Sequence, residues 1–148
     1  MIKIMFVCHG NICRSPMAEC IMKHLIEKEN LQDQIQVYSS ATSTEEIGNS
    51  MYPPARRQLM KHNIEPGNHR AVQLTYEDGM VYDLFVGMDG QNIRNMQKIL
   101  TNEKKIQKLF PDKDVSDPWY TGDFEQTYED ILEGCQKLLN STKNLLKN

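Results

Sequence analysis

The sequence predicts an α/β fold, a parallel sheet with helices on both faces. Two observations carry that expectation. Short apolar runs alternate with segments of helical period along the whole chain, and the runs carry β-branched or aromatic residues, as expected for strands covered on both faces.

The first run, IKIMFV (2–7), reads as a strand, and Met17, Cys20, Ile21 and Leu25 recur after it at helical spacing. IQVYS (35–39) is the second strand; Pro53 and Pro54 suit the first turn of a helix that buries Ala55 and Leu59. YDLFVGM (82–88) is the third, followed by a helix carrying Ile93, Met96 and Leu100, and IQKLF (106–110) is a weaker fourth. The last helix is the clearest, with Phe124, Tyr128, Ile131, Leu132, Cys135, Leu138, Leu139 and Leu146 forming one stripe. In such a sheet ligands sit beyond the C-terminal ends of the strands, where Cys8 lies.

At 148 residues, without a repeat, low-complexity tract or Gly/Ser linker, one domain spanning 1–148 is expected. The composition, 39% hydrophobic and 25% charged, is that of a globular protein. A net charge of −3 argues against a general nucleic-acid binder, and the apolar stretch Ile4–Val7 is too short for a signal peptide or membrane span. A cytoplasmic protein with no nucleic-acid or membrane partner is expected. The four cysteines (8, 13, 20, 135) form no CxxC and no zinc-ligand spacing, so free thiols and no metal site are expected.

The stretch CHGNICRSP (8–16) concentrates chemistry at the end of the first strand. A strand–loop–helix unit aims the loop amides and the helix N-terminus at one spot, which favours an anion. Gly10 and Asn11 are expected to supply left-handed backbone conformations. Arg14 can hold two oxygens of a phosphate, and its charge with the helix dipole favours the thiolate of Cys8. Ser15 can donate to that sulfur. The loop lacks the Gly-Lys-Ser/Thr ending of a Walker loop and the glycines of a dinucleotide fingerprint, so it binds phosphate by another chemistry. A nucleophile in an oxyanion cradle needs a proton donor for its leaving group, and Asp117, held extended by Pro118 and followed by Trp119 and Tyr120, offers one on a capping loop.

Cys8-His9-Gly10-Asn11-Ile12-Cys13-Arg14-Ser15-Pro16 together with Asp117-Pro118-Trp119-Tyr120 resembles the low-molecular-weight protein tyrosine phosphatases over essentially the whole chain. That resemblance implies a flavodoxin-like, doubly wound four-stranded parallel sheet and a two-step mechanism without metal or organic cofactor. Cys8 is implied as nucleophile, Arg14 and the His9–Arg14 amides as the cradle, and Asp117 as general acid, then base. Asn11 is implied to fix the loop through hydrogen bonds to Ser39 and His69, and Met88-Asp89 with Asn92-Ile93-Arg94 to be structural. Ile12, Trp119 and Tyr120 are expected to wall a pocket deep enough to favour phosphotyrosine over phosphoserine. The partners would be phosphotyrosine proteins or peptides; the sequence does not fix the oligomeric state, and a monomer is favoured.

Three rivals differ at identifiable positions. A thiol-dependent arsenate reductase needs further redox cysteines, and none lies between 21 and 134. A protein-arginine phosphatase carries threonine where this chain has Ile12. A catalytically silent phosphate-binding module has no need of the nucleophile, arginine and acid loop together. His9 is read as a surface histidine contributing a loop amide. Glu45 and Glu46 are read as charges that disfavour acidic phosphopeptides or are simply solvated, and Lys104, Lys105 and Lys108 as an exposed face. Cys13 has two readings: a packed core thiol, or a resolving partner for oxidised Cys8, a pairing the family resemblance favours.

Overall fold

The computed structural model describes residues 1–147. Its sheet has four parallel strands in the order β2-β1-β3-β4: β1 (Ile2–Cys8), β2 (Ile35–Ala41), β3 (Leu84–Gly87) and β4 (Ile106–Lys108). Five α-helices accompany it: α1 (Arg14–Lys28), α2 (Pro53–Lys61), α3 (Gly90–Leu100), the single turn α4 (Pro118–Thr121) and α5 (Phe124–Leu146). The expected α/β architecture and strand count agree with this.

Strand alternation divides the core. Ile4, Phe6 and Cys8 of β1, with Ile35, Val37 and Val86, face the apolar stripes of α1 and α5. Met5, Val7 and Phe85 face the other way, onto Met96 and Leu100 of α3. Both faces of the central strands β1 and β3 are thereby covered, while the edge strand β2 alternates buried Ile35 and Val37 with half-buried Gln36 and Tyr38. α5 approaches the sheet at Gly134, where an added Cβ would collide with the Leu109 side chain.

The first two strands run on past the expected ends to Cys8 and Ala41, and β3 ends at Gly87 rather than Met88; other departures have identifiable local causes. Tyr82 is not yet strand, because its N–H closes the preceding turn onto Asp78 O at 3.0 Å. β4 stops at Lys108, although Leu109 N still donates to Gly87 O and Pro111 then ends the run. The Trp119-Tyr120 segment, expected as loop, is helical because Asp117 caps it through a bond from Trp119 N (3.0 Å) and Pro118 occupies its first position. The expected basic face is also reduced: Lys105 Nζ donates to Gly79 O and Tyr82 O, and Lys108 pairs with Asp114, leaving Lys104 exposed.

Chain direction across the sheet reverses between β1 and β3. β1 leads outward to β2 on one side, while β3 leads to β4 on the other, so the C-terminal ends of β1 and β3 flank a switch point. Cys8 stands at one end and Asp89, two residues past β3, at the other.

Candidate active site

The segment from Cys8 to Arg14 wraps round a pocket of about 120 Å³ lined also by Glu45, Glu46, Asp117, Trp119 and Tyr120. No side chain caps α1, so its N-terminal amides face the loop without a side-chain acceptor. Asn11 alone in the loop has a left-handed backbone (φ 60°). Gly10, expected to share that role, does not; it leaves room instead for Glu46, whose Cγ would lie 3.4 Å from an added Cβ.

Bonds from three sides hold Asn11. Its Nδ2 donates to Ser15 Oγ (2.7 Å), its Oδ1 accepts from Val72 N (3.1 Å), and its carbonyl accepts from His69 Nε2 (2.6 Å). Ser15 Oγ, occupied as an acceptor by Asn11, has its own proton left to give: Cys8 Sγ is 3.1 Å away and Ser40 O 3.5 Å, so the shorter contact directs it to sulfur. Asn11 N also points at Sγ, at 3.3 Å.

Ser39 does not belong to this network, and its expected bond to Asn11 is corrected. Alternation along β2 aims Ser39 with Ile35 and Val37 at α1, where its hydroxyl donates to Glu19 Oε1 at 2.6 Å. His69 does reach Asn11, through the main-chain carbonyl rather than the side chain.

Arg14, 3% exposed, is the most constrained group in the pocket. Nη1 donates to Asp89 Oδ2 (2.8 Å) and Val115 O (2.9 Å), and Nη2 to Asp117 Oδ2 (3.4 Å). Burial pulls its pKa down, but Cys8, the bond to Asp89 and the charge of Asp117 more than offset that and hold it above the ordinary value. A guanidinium has five N–H donors; three are engaged, and Nε–H with the second Nη2 proton remain to face the pocket. Sequence reasoning placed Asp89 only in a structural stretch; its pairing with Arg14 had no local signal.

Asp117 enters from the opposite rim, with Oδ1 on Trp119 N and Oδ2 on Arg14. Val115, whose N–H bonds to Met88 O, ties its loop to the end of β3. Ile12 forms an apolar wall, and Trp119, half exposed, leans on Tyr52 with ring centroids 4.7 Å apart. Tyr120 is 83% exposed at the mouth. His9 reaches outward to Glu45 Oε2 at 2.9 Å, consistent with a residue that offers only its amide to the loop. Cys13 is buried; burial, then the charges of Cys8 and Asp117, push its thiol pKa far up.

The sequence profile of the family described as low molecular weight phosphotyrosine protein phosphatase matches residues 3–148. The chain belongs to that family. The low molecular weight protein-tyrosine-phosphatase PtpA of Staphylococcus aureus (strain MRSA252) is 38% identical over 146 residues, covering 95% of this chain and 93% of that protein. Among solved structures, the family likeness extends to SP-PTP, a low molecular weight protein tyrosine phosphatase from Streptococcus pyogenes: 36% identity, TM-score 0.90, 100% of this chain and 99% of that one. YfkJ from Bacillus subtilis superposes with TM-score 0.93 at 35% identity, over 97% and 96% of the two chains. The phosphatase family read from the two loops is thus the family of the whole chain. Among the described residues, no helix is long and apolar enough to cross a membrane.

Proposed function

We propose that this phosphatase hydrolyses phosphotyrosine in proteins and peptides through a cysteinyl-phosphate on Cys8. The observation that carries the reading is convergence: Cys8 Sγ, Arg14 and Asp117 meet in one pocket walled by Ile12, Trp119 and Tyr120. The thiolate attacks phosphorus in line. Ser15 and the Asn11 amide hold the sulfur, while the loop amides and the free edge of Arg14 take the equatorial oxygens. The S–P bond forms as the P–O bond to the phenol breaks, and Asp117 gives the departing oxygen its proton. Asp117 then takes a proton from water, whose oxygen attacks phosphorus, returning the thiolate and releasing phosphate. Ile12 and Trp119 suit a flat aromatic ester, which sets phosphotyrosine ahead of phosphoarginine.

The test compares peptides carrying phosphotyrosine, phosphoserine and phosphoarginine, and an aryl phosphate. Wild type should favour phosphotyrosine and turn over the aryl ester; Cys8→Ser should turn over nothing. Asp117→Asn should lose about 10²- to 10⁴-fold in kcat, most for poor leaving groups. Equal efficiency on phosphoserine defeats the pocket argument, and a preference for phosphoarginine replaces the substrate.

A further inference from the structure

Beside the catalytic pocket lies a second groove, of about 470 Å³, in which Arg56, Arg57 and Arg70 converge with Met60 and Pro53. Among the described residues no carboxylate lines it, although the chain carries net charge −3. Arg56 is fixed by donating to Gly67 O at 2.8 Å. Arg57 and Arg70, both exposed, have no hydrogen-bond or ion-pair partner for their side chains among the described residues. Lys61, on the same helix, already has Glu125, and Lys23, Lys108 and Lys143 also have carboxylates.

The groove neighbours the catalytic pocket, with Tyr52 between the two. Met51 and Pro53 line it, and Tyr52 between them packs at a tilt against Trp119 of the pocket wall while its N–H donates to Ile12 O at 2.9 Å. The main chains of Ser50 and Arg70, both lining it, pair as an isolated antiparallel β-bridge, and His69 holds the Asn11 carbonyl. A peptide that left the pocket over Trp119 and Tyr52 would meet the side of the groove lined by Met51 and Pro53.

We propose that this groove is an exosite for a carboxylate-rich segment of the phosphoprotein substrate; the assignment of that segment to a substrate rests on the phosphatase reading above. The donor set favours carboxylates over a phosphate. Pro53 and Pro54 occupy the first turn of α2, so the helix end that lies at the groove lacks the amide donors a phosphate uses. What remains is three guanidinium groups, each able to pair with a carboxylate, and an exposed Met60 for an apolar residue. Glu45 and Glu46 line the catalytic pocket itself, so acidic residues directly beside the phosphotyrosine are repelled and the acidic segment must lie further along.

The test has a binding arm and a kinetic arm. A fluorescent, unphosphorylated Asp/Glu-rich peptide is titrated against wild type and the R57E/R70E double variant, with an Asn/Gln analogue as control. Wild type should bind it about tenfold more tightly than the variant does, and high salt should abolish the difference. On phosphotyrosine peptides bearing that segment after a neutral spacer, wild type should show a KM several-fold below that for the Asn/Gln version at equal kcat. The variant should lose that preference and keep its turnover of a small aryl phosphate. Equal binding by wild type and variant, equal binding of the neutral peptide, or displacement of the acidic peptide by millimolar inorganic phosphate in the variant-sensitive fraction overturns the exosite. A wild type that binds the acidic peptide but hydrolyses no aryl phosphate overturns the catalytic reading instead.

Discussion

Arg14 Nη1 stands 2.8 Å from Asp89 Oδ2, joining the loop after β1 to the start of α3 across 75 positions of sequence. Asp89 also caps α3, its Oδ1 accepting from Asn92 N at 2.8 Å, so one carboxylate both begins a helix and holds the phosphate-facing arginine. The two roles separate by substitution. Asp89→Asn keeps a capping oxygen and loses the charge; Asp89→Ala loses both. Both should raise KM for aryl phosphates, because the guanidinium loses the anchor that presents its free edge. Removing the partner of a buried ion costs about 3 kcal/mol, and Ala should be less stable than Asn by about a further 1 kcal/mol from the lost cap. Urea denaturation checks this; equal stability of the two variants would remove the cap from the account.

Why was this pair illegible beforehand when the rest of the pocket was not? Cys8, Asn11, Arg14 and Ser15 lie within one turn of chain, so strand, loop and helix chemistry fix their relation locally. Arg14 and Asp89 meet only because β1 and β3 are neighbours at the switch point, which follows from strand order rather than from either segment. Ser39 failed for a related reason. Adjacent Ser39 and Ser40 look alike in YSS, but alternation sends one to Glu19 on α1 and leaves the other's carbonyl beside Ser15. The strands and helices were readable because their burial follows period, whereas the helical turn at Trp119-Tyr120 depends on a cap that competes with an ordinary Asp-Pro turn.

Gly134 should resist replacement even by alanine. It lies inside α5, where alanine ordinarily gains about 1 kcal/mol of helix propensity. Here the new Cβ would collide with three atoms of the buried Leu109 side chain. Overpacking of this kind costs about 1–3 kcal/mol, so Gly134→Ala should be net destabilising. Adding Leu109→Ala should return part of the loss, a coupling readable in a double-mutant cycle of urea midpoints. A Gly134→Ala protein more stable than wild type would show that α5 can shift away from the sheet.

Stability should decline on the alkaline side for a reason located in the thiols. Cys135 is wholly buried, and burial raises its pKa far above the 9.0 at which the unfolded chain ionises. Cys20 is pushed up to about 12, by burial first and then by Glu19. Raised folded values mean that the unfolded state releases protons first. The stabilisation is complete below pH 9 and is lost as pH rises toward the folded values. Each such group steepens the loss by about 1.4 kcal/mol per pH unit once the unfolded thiol has ionised. Cys135→Ala should lower stability at pH 7 but show a shallower fall between pH 9.5 and 11 in melting experiments. Parallel limbs for the two proteins would place the alkaline sensitivity elsewhere.

Cys13 should determine whether oxidation of Cys8 is reversible. Burial is the main reason its thiol keeps its proton, and the charge of Cys8 is the next. Peroxide takes the Cys8 thiolate to a sulfenic acid, reducing the peroxide O–O bond and removing the negative charge that faces Cys13. Cys13 can then attack that sulfur, forming the S–S bond as the sulfenic oxygen and the Cys13 proton leave as water. Bound phosphate should slow inactivation, since it covers Cys8 in the pocket. A dithiol should restore activity to wild type, whereas Cys13→Ser should turn over substrate normally before oxidation but recover poorly, its Cys8 having passed to the sulfinic acid. Mass spectrometry should find a Cys8–Cys13 cross-link in oxidised wild type. Full recovery of Cys13→Ser, with no cross-linked peptide in wild type, would leave Cys13 as a packing residue between Ile12 and Ala71.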